Sequence, residues 1–410
     1  MKVSLIMGRG IEGCGVTKFA LEQLDWFKEN GHQVTLYASR DKSWSRKKSH
    51  MVDDIQHLKF GHNKKQDELS IIIKGCQESD LVIINSLPAS SVDDTVKEGF
   101  DKFLNEVKTK MVLVQHDHSS LSIKRNACLD EAIKRADMIF SHSSTNDFSK
   151  YAKTVLGVGG LSSFFGEEEP ETKIFNFQPG MNFDNIKEQY WKDDISDQDP
   201  LHHKWIGRTT SWKGYKQMFE FHNNFLMPND RLTTFEGIER SPAYLDFKKI
   251  TEYNDQVATN FDISGYDLSE DYGKPAVVFG PFVNTEMLER MSKVGFGYQL
   301  SILKPEFIER SIEYTHCEVV CTGTIPVFRK RYGQQCTHRS TGKKLIDHAD
   351  TGTVWFDDDN MQSTMDLIEE LTNNHDLRNT YRKDAFEFYR EHQDASYTFA
   401  EMLEKITTEL

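Results

Sequence analysis

The fold of this chain is decided by residues 2–37, which read KVSLIMGRGIEGCGVTKFALEQLDWFKENGHQVTLY. Val3 to Met7 is an apolar run of strand length. Thr17 to Asn30 has the apolar period of a helix closed by Gly31, and Gln33 to Tyr37 is a second strand. Parallel strands need a long crossover that a helix usually supplies, so strand, helix and strand in this order predict a parallel sheet.

The same alternation continues along the chain. In the first half we predict strands at Leu81–Asn85, Met111–Gln115, Met138–His142 and Lys173–Phe177, and helices near Ser91–Lys108, Ile123–Ala136 and Asp147–Thr154. In the second half we predict strands at Lys204–Gly207, Leu232–Glu236, Ala276–Phe279, Gly295–Tyr298, Ile325–Phe328 and Gly352–Phe356. Helices are predicted at Tyr215–Leu226 and Asn284–Ser292, around Glu318, and from about Met361 onward. This is an α/β pattern of two doubly wound sheets.

A break in the pattern separates the two halves. At 410 residues the chain exceeds the usual size of one hydrophobic core, so two domains are expected. Residues 157–170 are rich in Gly, Ser and acids, and residues 180–200 hold too few apolar positions for a core element. We predict an N-terminal domain at 1–180, a C-terminal domain at 200–385, and a helix at 386–410 that would pack back on the first domain. Two such domains would face each other across a central cleft, where ligands bind.

Charge and composition exclude several classes of protein. The formal charge of −14 argues against a uniformly basic surface, so any contact with DNA must be local. The six cysteines show no C-x-x-C spacing and are expected to be reduced thiols without zinc. The N-terminus does not resemble a signal peptide and no apolar run is long enough to span a bilayer, so we expect an intracellular protein without membrane contact.

Two motifs in the second half predict a pocket for a nucleotide diphosphate sugar. In the stretch Ile206-Gly207-Arg208-Thr209-Thr210-Ser211-Trp212-Lys213-Gly214, two cations lie five residues apart just before a predicted helix. Arg208 and Lys213 could therefore converge on a diphosphate at the helix N-terminus. Glu318 stands five residues before the turn Gly323-Thr324 and could accept hydrogen bonds from two ribose hydroxyls. Either motif alone would be read as a solvated surface, and only the combination is specific.

The loop after the first strand allows several interpretations. Gly8, Gly10 and Gly13 match G-x-G-x-x-G, which would suit a nicotinamide-dependent oxidoreductase. The second strand then ends in Ser39-Arg40 without the acid that would bind the ribose, although Asp41 lies one step beyond. A phosphate-binding P-loop fails because Val16-Thr17 stand where Lys and Ser/Thr are required. We favour a backbone approach to the ligand, with Gly13 and Gly15 as candidate donor contacts; tight strand-to-helix packing is the alternative.

A cluster of ionisable residues follows the strand Met111–Gln115. His116 and Asp117, with His118 after them, stand at the carboxyl end of that strand, where a general base or a substrate-orienting group is expected. A metal site is disfavoured because adjacent residues of an extended segment point to alternate sides. A hydrogen-bonded turn without chemistry is the remaining alternative. The acidic strings at residues 197–199 and 357–359 are interpreted as solvated surface.

Seven segments carry a resemblance to a known family. They are Gly8–Phe19, Gln115–His118, Trp205–Thr210, Glu236–Pro242, Met287–Lys293, Gly295–Leu300 and Glu313–His316. In these segments the chain resembles the DNA α-glucosyltransferases of T-even bacteriophages and, more distantly, the retaining glycosyltransferases of the GT-B type, which are built on two Rossmann-like domains. The resemblance extends over nearly the whole chain.

The resemblance implies a reaction and roles for residues. The implied reaction moves a sugar from a UDP-sugar to the hydroxymethyl group of 5-hydroxymethylcytosine in double-stranded DNA, with retention of configuration. Arg208 and Lys213 would neutralise the departing diphosphate, and Glu318 would bind the ribose. His116 and Asp117 would lie at the sugar and at the attacking hydroxyl. The fold requires no divalent metal and no tightly bound cofactor, and the UDP-sugar is a substrate.

The chain departs from the wider family pattern beside the donor pocket. Related enzymes carry a second Glu eight residues before the ribose Glu, where this chain has Arg310 and, nearer, Glu313. On one continuous helix Glu313 and Glu318 would lie about 140° apart, so both reach the ligand only if the helix starts between them. Residues 319–322 and the cations at 329–331 also differ. Glucose is the favoured sugar, and a pentose donor such as UDP-arabinose stays open.

The contact with DNA is predicted in the segment after the second strand. Lys42, Trp44, Arg46, Lys47 and Lys48 place four cations and an aromatic ring in seven residues, which suits phosphate contacts beside a flipped base. A solvated loop is the alternative. A transferase acting on a small molecule or polysaccharide would not need this segment. We expect a monomer that works in the cytoplasm of an infected bacterial host.

Overall fold

The computed structural model describes residues 1–8, 15–39, 55–61, 67–88, 94–116, 128–142, 147–157, 173–207, 213–236, 266–267, 276–279, 284–301 and 313–410. The chain forms two compact units. The first contains Met1–Gly180 and Ala395–Leu410, and the second contains the described residues of Met181–Pro305 and Arg310–Asp394.

Strands and helices alternate through the described residues. The strands are β1 (Lys2–Met7), β2 (Gln33–Ser39), β3 (Ile55–Leu58), β4 (Leu81–Ser86), β5 (Lys110–Gln115), β6 (Met138–Ser141), β7 (Ile174–Asn176), β8 (Asp199–Ile206), β9 (Leu232–Glu236), β10 (Tyr266–Asp267), β11 (Ala276–Phe279), β12 (Val294–Gln299), β13 (Ile325–Arg329) and β14 (Val354–Phe356). The α-helices are α1 (Gly15–Glu29), α2 (Glu68–Gln77), α3 (Asp94–Glu106), α4 (Leu129–Arg135), α5 (Asp147–Val155), α6 (Phe183–Tyr190), α7 (Tyr215–Phe221), α8 (Asn284–Met291), α9 (Tyr314–Cys321), α10 (Lys330–Gln335), α11 (Met361–Asn373), α12 (His375–Gln393) and α13 (Ala395–Glu409).

Each unit is built on one sheet, with seven strands among the described residues, and the central strands of the two sheets follow the same order. The first sheet runs β3-β2-β1-β4-β5-β6-β7, and the second runs β10-β11-β9-β8-β12-β13-β14. Neighbouring strands pair in parallel except β10 and β11, which are antiparallel. In both sheets the order reverses beside the unit's first strand, between β1 and β4 and between β8 and β12. This is the doubly wound order predicted from the sequence, and each reversal is a switch point where ligands bind in such sheets.

The first sheet is largely apolar in its interior, as expected for a parallel sheet covered on both faces. Residues 81–84 of β4 are at most 3% exposed, which explains why the strand reads as a continuous apolar run. In the first unit the rings of Phe60, Phe100 and Phe103 pack together in the core. In the second unit Trp205 and Tyr298 are fully buried in the corresponding core.

The prediction that residues 180–200 hold no core element was wrong. Helix α6 spans Phe183–Tyr190, and β8 begins at Asp199. Only Phe183 and Ile186 of this helix are buried, so its apolar period is too weak to be recognised. Its start is fixed by Asn182, whose side-chain oxygen accepts a hydrogen bond from the backbone N–H of Asn185. The short strand β3 and the helix α2 were also not predicted.

The C-terminal helical region is divided between the units. Helix α12 belongs to the second unit. The chain leaves the second unit after Asp394. Helix α13 packs on α1 of the first unit, where the ring of Phe399 lies 5.2 Å from Phe19 and 6.0 Å from Trp26. The five described cysteines are buried thiols that form no disulfide. Within the described residues no helix is long and apolar enough to cross a membrane.

Two histidines of the second unit, His203 of β8 and His222, are buried, and His202 of β8 is partly buried. The Nδ1 atom of His203 lies 2.8 Å from the Tyr298 hydroxyl, and that of His222 lies 2.9 Å from the Thr233 hydroxyl. Burial lowers the pKa of His202 and of His222 to about 4, and it lowers the pKa of His203 well below its ordinary value. These side chains are therefore neutral in the folded protein near neutral pH.

We expect the free energy of unfolding to fall as the pH falls from about 6.5 to about 4. In this range the unfolded chain binds protons that the buried histidines exclude, so acid favours unfolding. Replacing His222 by Asn keeps a polar partner for Thr233 and should flatten the slope by up to about 1.4 kcal/mol per pH unit. Urea unfolding at several pH values measures this slope. The exposed His375 is the matched control, and an equal flattening in His375→Asn would contradict the assignment.

Candidate active site

The predicted diphosphate motif lies at the switch point of the second sheet. Gly207 follows the carboxyl end of β8, and Ser301 lies just past the carboxyl end of the adjacent strand β12. Lys213 and Gly214 return the chain to helix α7, which starts at Tyr215. The described ends of the motif therefore lie at the edge of the sheet that the topology assigns to ligand binding.

Helix α7 begins directly against the end of β12. Gly214 has a φ of 70°, and a Cβ atom added there would lie 2.2 Å from the carbonyl oxygen of Leu300. Only glycine fits this backbone conformation and this close approach. As a result the backbone N–H groups at the start of α7 lie beside the end of β12.

Lys213 forms an ion pair with Glu313 in this place. The Lys213 ammonium, whose side chain is 11% exposed, donates to Oε2 of Glu313, and the Ser301 hydroxyl donates to the same oxygen at 3.1 Å. Burial alone would raise the pKa of Glu313. The charge of Lys213 and these two hydrogen bonds outweigh burial and hold the pKa of this carboxyl below its usual range. Both groups are therefore charged at neutral pH, and the pair is oriented before any ligand binds.

Glu313 stands at the N-terminus of helix α9. This position answers whether Glu313 and Glu318 lie on one continuous helix. The helix spans Tyr314–Cys321, and Glu313 is its N-cap residue with extended backbone angles of φ −69° and ψ 146°. The helix thus starts between Glu313 and Glu318, the condition under which both carboxylates can reach one ligand. Glu318 lies on the helix itself and is 2% exposed.

His316 is a buried member of this region that was not predicted as a site residue. Its ring lies between Phe328 and Tyr332, with ring centroids 4.4 Å and 4.3 Å away. Burial lowers the pKa of His316 to about 3, so the ring is neutral. The Tyr332 hydroxyl accepts a hydrogen bond of 3.1 Å from the backbone N–H of Glu313. The stacked rings of His316 and Tyr332 therefore support Glu313, which holds Lys213. Sequence spacing does not reveal this relation.

Thr324 has an internal role rather than the predicted donor contact. Its hydroxyl donates to the carbonyl oxygen of Met291 at 2.6 Å, and the side chain is fully buried. The preceding Gly323 has a φ of 74° and ends helix α9 against Arg382, whose Nη2 would lie 2.5 Å from an added Cβ. The Gly-Thr pair thus terminates the helix and joins it to the core.

The second acidic string is not simply solvated, which corrects its interpretation from the sequence. Asp358 accepts a hydrogen bond of 2.5 Å from Nε of Arg329, and Asp357 pairs with the Lys330 ammonium at 2.6 Å. The hydrogen bond from Lys330 lowers the pKa of Asp357. Two cations of the 329–331 run, which departs from the wider family pattern, are therefore neutralised by carboxylates.

The first unit presents His116 directly after strand β5. Its ring packs against Phe19 of α1 at 4.7 Å, Phe177 at 5.5 Å and His142 at 5.9 Å between ring centroids. These rings hold the imidazole at the carboxyl end of the sheet, as the sequence predicted. Gly15 is the first residue of α1.

Several predicted site residues lie outside the described part of the chain. They are Asp117, Arg208 and Gly13 together with the DNA segment Lys42, Trp44, Arg46, Lys47 and Lys48. Among the described residues, no group of three or more His, Cys, Asp or Glu side chains is arranged to hold a metal ion.

Two doubly wound sheets, one with an oriented Lys–Glu pair at its switch point, define a glycosyltransferase of the GT-B type. The sequence model for DNA alpha-glucosyltransferase matches residues 14–376. The chain belongs to the DNA alpha-glucosyltransferase family, which confirms the resemblance seen in the sequence.

Individual relatives match this chain over nearly its full length. The DNA alpha-glucosyltransferase of Enterobacteria phage T4 is 42% identical and is matched over 99% of this chain and 100% of its own. A solved alpha-glucosyltransferase in complex with UDP-glucose and DNA containing an abasic site has a TM-score of 0.85 and 40% identity, with 99% of each chain covered. Another, in complex with UDP and a 13-mer DNA containing a HMU base, has a TM-score of 0.86 with the same identity and coverage.

We expect Lys213→Gln to weaken UDP binding by about tenfold to a hundredfold. A charge-assisted hydrogen bond contributes roughly 1.5–3 kcal/mol, and the glutamine cannot supply the positive charge that the diphosphate requires. Isothermal titration calorimetry with UDP measures the change. Lys216, an exposed lysine on the same helix, provides the matched control Lys216→Gln, which should bind UDP normally. Equal losses in both variants would show that Lys213 has no specific role.

Proposed function

We propose that this protein transfers glucose from UDP-glucose to the hydroxymethyl group of 5-hydroxymethylcytosine in double-stranded DNA, with retention of configuration. The observation that carries the proposal is the oriented Lys213–Glu313 pair at the N-terminus of α7, in a chain that belongs to the DNA alpha-glucosyltransferase family. A buried cation beside the N-terminus of a helix suits a diphosphate that gains negative charge as it leaves.

The donor side of the proposal uses mainly residues of the second unit, with Gly13 and Gly15 of the first. Lys213, together with Arg208, would stabilise the charge that develops on the departing UDP, and Glu318 would accept hydrogen bonds from the ribose hydroxyls. Glu313 keeps the Lys213 ammonium in place, with support from Ser301. Gly13 and Gly15 would bring the backbone close to the donor. We propose that no divalent metal or tightly bound cofactor is needed, because these cations supply the positive charge.

Glucose is the donor sugar that we propose. A relative of this chain has been solved with UDP-glucose, and the family is one of alpha-glucosyltransferases. The pentose alternative rested partly on the cations at 329–331, but Arg329 and Lys330 are paired with aspartates. UDP-glucose carries an α linkage at its anomeric carbon, so formation of an α-glucoside retains that configuration.

The acceptor side of the proposal uses residues of the first unit. His116 is held by aromatic rings at the carboxyl end of β5, and Asp117 follows it in the chain. We propose that this pair orients the acceptor hydroxyl and removes its proton, with Asp117 as the preferred base. The modified cytosine must flip out of the stacked DNA duplex to reach such a site. The 42–48 segment would contact the DNA phosphates. The enzyme would act as a monomer in the cytoplasm of the infected host, where this DNA is made.

The direct test is to incubate the protein with duplex DNA containing 5-hydroxymethylcytosine and either UDP-glucose or UDP-arabinose. Digestion to nucleosides followed by mass spectrometry reads the added sugar, and nuclear magnetic resonance of the product nucleoside reads its anomeric configuration. We expect a hexose in α linkage. A pentose gain, with none from UDP-glucose, would contradict the proposed donor, and no gain with either donor would overturn the proposal.

We expect charge reversal at Arg46 and Lys47 to weaken DNA affinity and to leave UDP-glucose affinity unchanged. Each lost phosphate contact should reduce the slope of log affinity against log salt by about 1. Fluorescence anisotropy with labelled duplex at several salt concentrations measures both quantities. Charge reversal at the exposed Lys102 and Lys134 changes the net charge equally and serves as the control. An equal effect of the control pair would indicate general electrostatics instead of a DNA contact.

A further inference from the structure

Three charged side chains, two of them buried and one partly exposed, form a cluster at the carboxyl end of strand β9, which we call the Glu236 triad. Glu236 is the last residue of β9 and is fully buried, and Lys204 of β8 is 1% exposed. The Lys204 ammonium lies 2.5 Å from Oε2 of Glu236. Arg290 of α8 completes the triad: its Nη2 atom bonds Oε1 of Glu236, and its Nε atom lies 3.4 Å from Oε2.

Stability alone does not account for the Glu236 triad. Removing charges from water is costly, and replacing a buried ion cluster by apolar side chains is often neutral or stabilising. The triad also carries two cations for one carboxylate. Glu286, which lies 3.7 Å from Arg290, is 62% exposed and only partly offsets the excess. Burial lowers the pKa of Lys204 to about 8, which shows the energetic cost of holding this cation inside.

The triad is connected to Gly207 and Lys213, the described residues on either side of the segment 208–212 in the diphosphate motif. The backbone N–H of Gly207 donates to the carbonyl oxygen of Glu236 at 3.0 Å. On the other side of the segment, the carbonyl oxygen of Lys213 accepts a hydrogen bond of 3.3 Å from the indole of Trp205. Trp205 follows Lys204 directly in β8 and is fully buried. Both Gly207 and Lys213 therefore rest on residues that belong to the triad or adjoin it.

Close packing also restricts the position of Gly207. A Cβ atom added at Gly207 would lie 2.9 Å from the Trp205 ring and 3.5 Å from the Cβ of Lys213. The side chain of Gln299, at the end of β12, donates to the carbonyl oxygen of Ile206. A shift of Glu236 would consequently move Gly207, and with it the start of the diphosphate motif, relative to Lys213.

We propose that the Glu236 triad positions Gly207 and Lys213 for binding the donor diphosphate, so that donor affinity depends on the charge of Glu236. Lys204, Glu236 and Arg290 are positioning residues that act through the backbone of Gly207 and the indole of Trp205. The inference rests on the proposed function for the identity of the ligand, UDP. It adds that a carboxylate on β9, outside the diphosphate motif and the ribose motif, controls the affinity.

The test compares UDP binding in the full-length protein and in Glu236→Gln by isothermal titration calorimetry. The amide keeps the shape of the side chain and removes the charge that holds both cations, so we expect the dissociation constant of UDP to rise about tenfold. The matched control is Glu369→Gln, which breaks the ion pair with Arg231 at the opposite end of β9. This control should lower the thermal unfolding temperature without changing UDP affinity.

A second variant separates positioning from stability. The double replacement Lys204→Met with Glu236→Leu removes the buried charges and keeps an apolar core, so the protein should fold at least as well as Glu236→Gln. We expect UDP affinity to stay reduced in this stable variant. Recovery of the unmodified protein's affinity would overturn the inference, because it would show that the triad contributes only to folding.

The milder Arg290→Gln variant, at a side chain that is 32% exposed, gives the test a third arm. It should weaken UDP binding in the same direction, and unchanged binding of UDP by both Arg290→Gln and Glu236→Gln would contradict the inference. Failure of the unmodified protein to bind UDP would instead contradict the proposed function. The two failures are therefore distinguishable.

Discussion

Each sheet of this protein reverses its strand order beside its first strand, and that constraint determines where chemistry can occur. At the reversal, two adjacent parallel strands send their following segments to opposite faces of the sheet, which leaves an opening at their carboxyl ends. In the second unit β8 and β12 form this opening, and their ends carry Gly207 and Ser301. Lys213 and Glu313 meet there although they lie a hundred residues apart. Glu313, which holds the ammonium, and Ser301, which donates to Glu313, both come from the chain that follows β12.

The strands were predictable because parallel strands covered on both faces read as apolar runs, and β4 and β5 are clear examples. Helix α6 was missed because only two of its side chains reach the core. In the site, Lys213 and Glu318 could be predicted from the sequence, since a cation before a helix and a carboxylate before a Gly-Thr turn are local patterns. The Glu236 triad could not be predicted, because its members come from three elements that only tertiary packing brings together. The internal role of Thr324 depends in the same way on its contact with Met291.

A common principle links the charged residues of the second unit. Lys213 is paired with Glu313, Lys204 and Arg290 with Glu236, and Arg329 and Lys330 with Asp358 and Asp357. Cations placed near a phosphate site repel one another before the ligand arrives, and carboxylates at hydrogen-bonding distance remove that repulsion. The strongly acidic composition, with a formal charge of −14, is thus compatible with a pocket for an anionic donor. The carboxylates fix the direction of each cation as well as offsetting its charge.

The assignment of helix α13 to the first unit affects how the chain can be assembled during synthesis. Its Phe399 covers Phe19 and Trp26 on helix α1, although 365 residues of chain, 30–394, separate the two helices. Domains usually fold in order as they leave the ribosome. Here the first unit to emerge keeps part of an apolar helix face uncovered until the second unit has been translated. The core of the first unit is therefore completed last, and residues 395–410 close it.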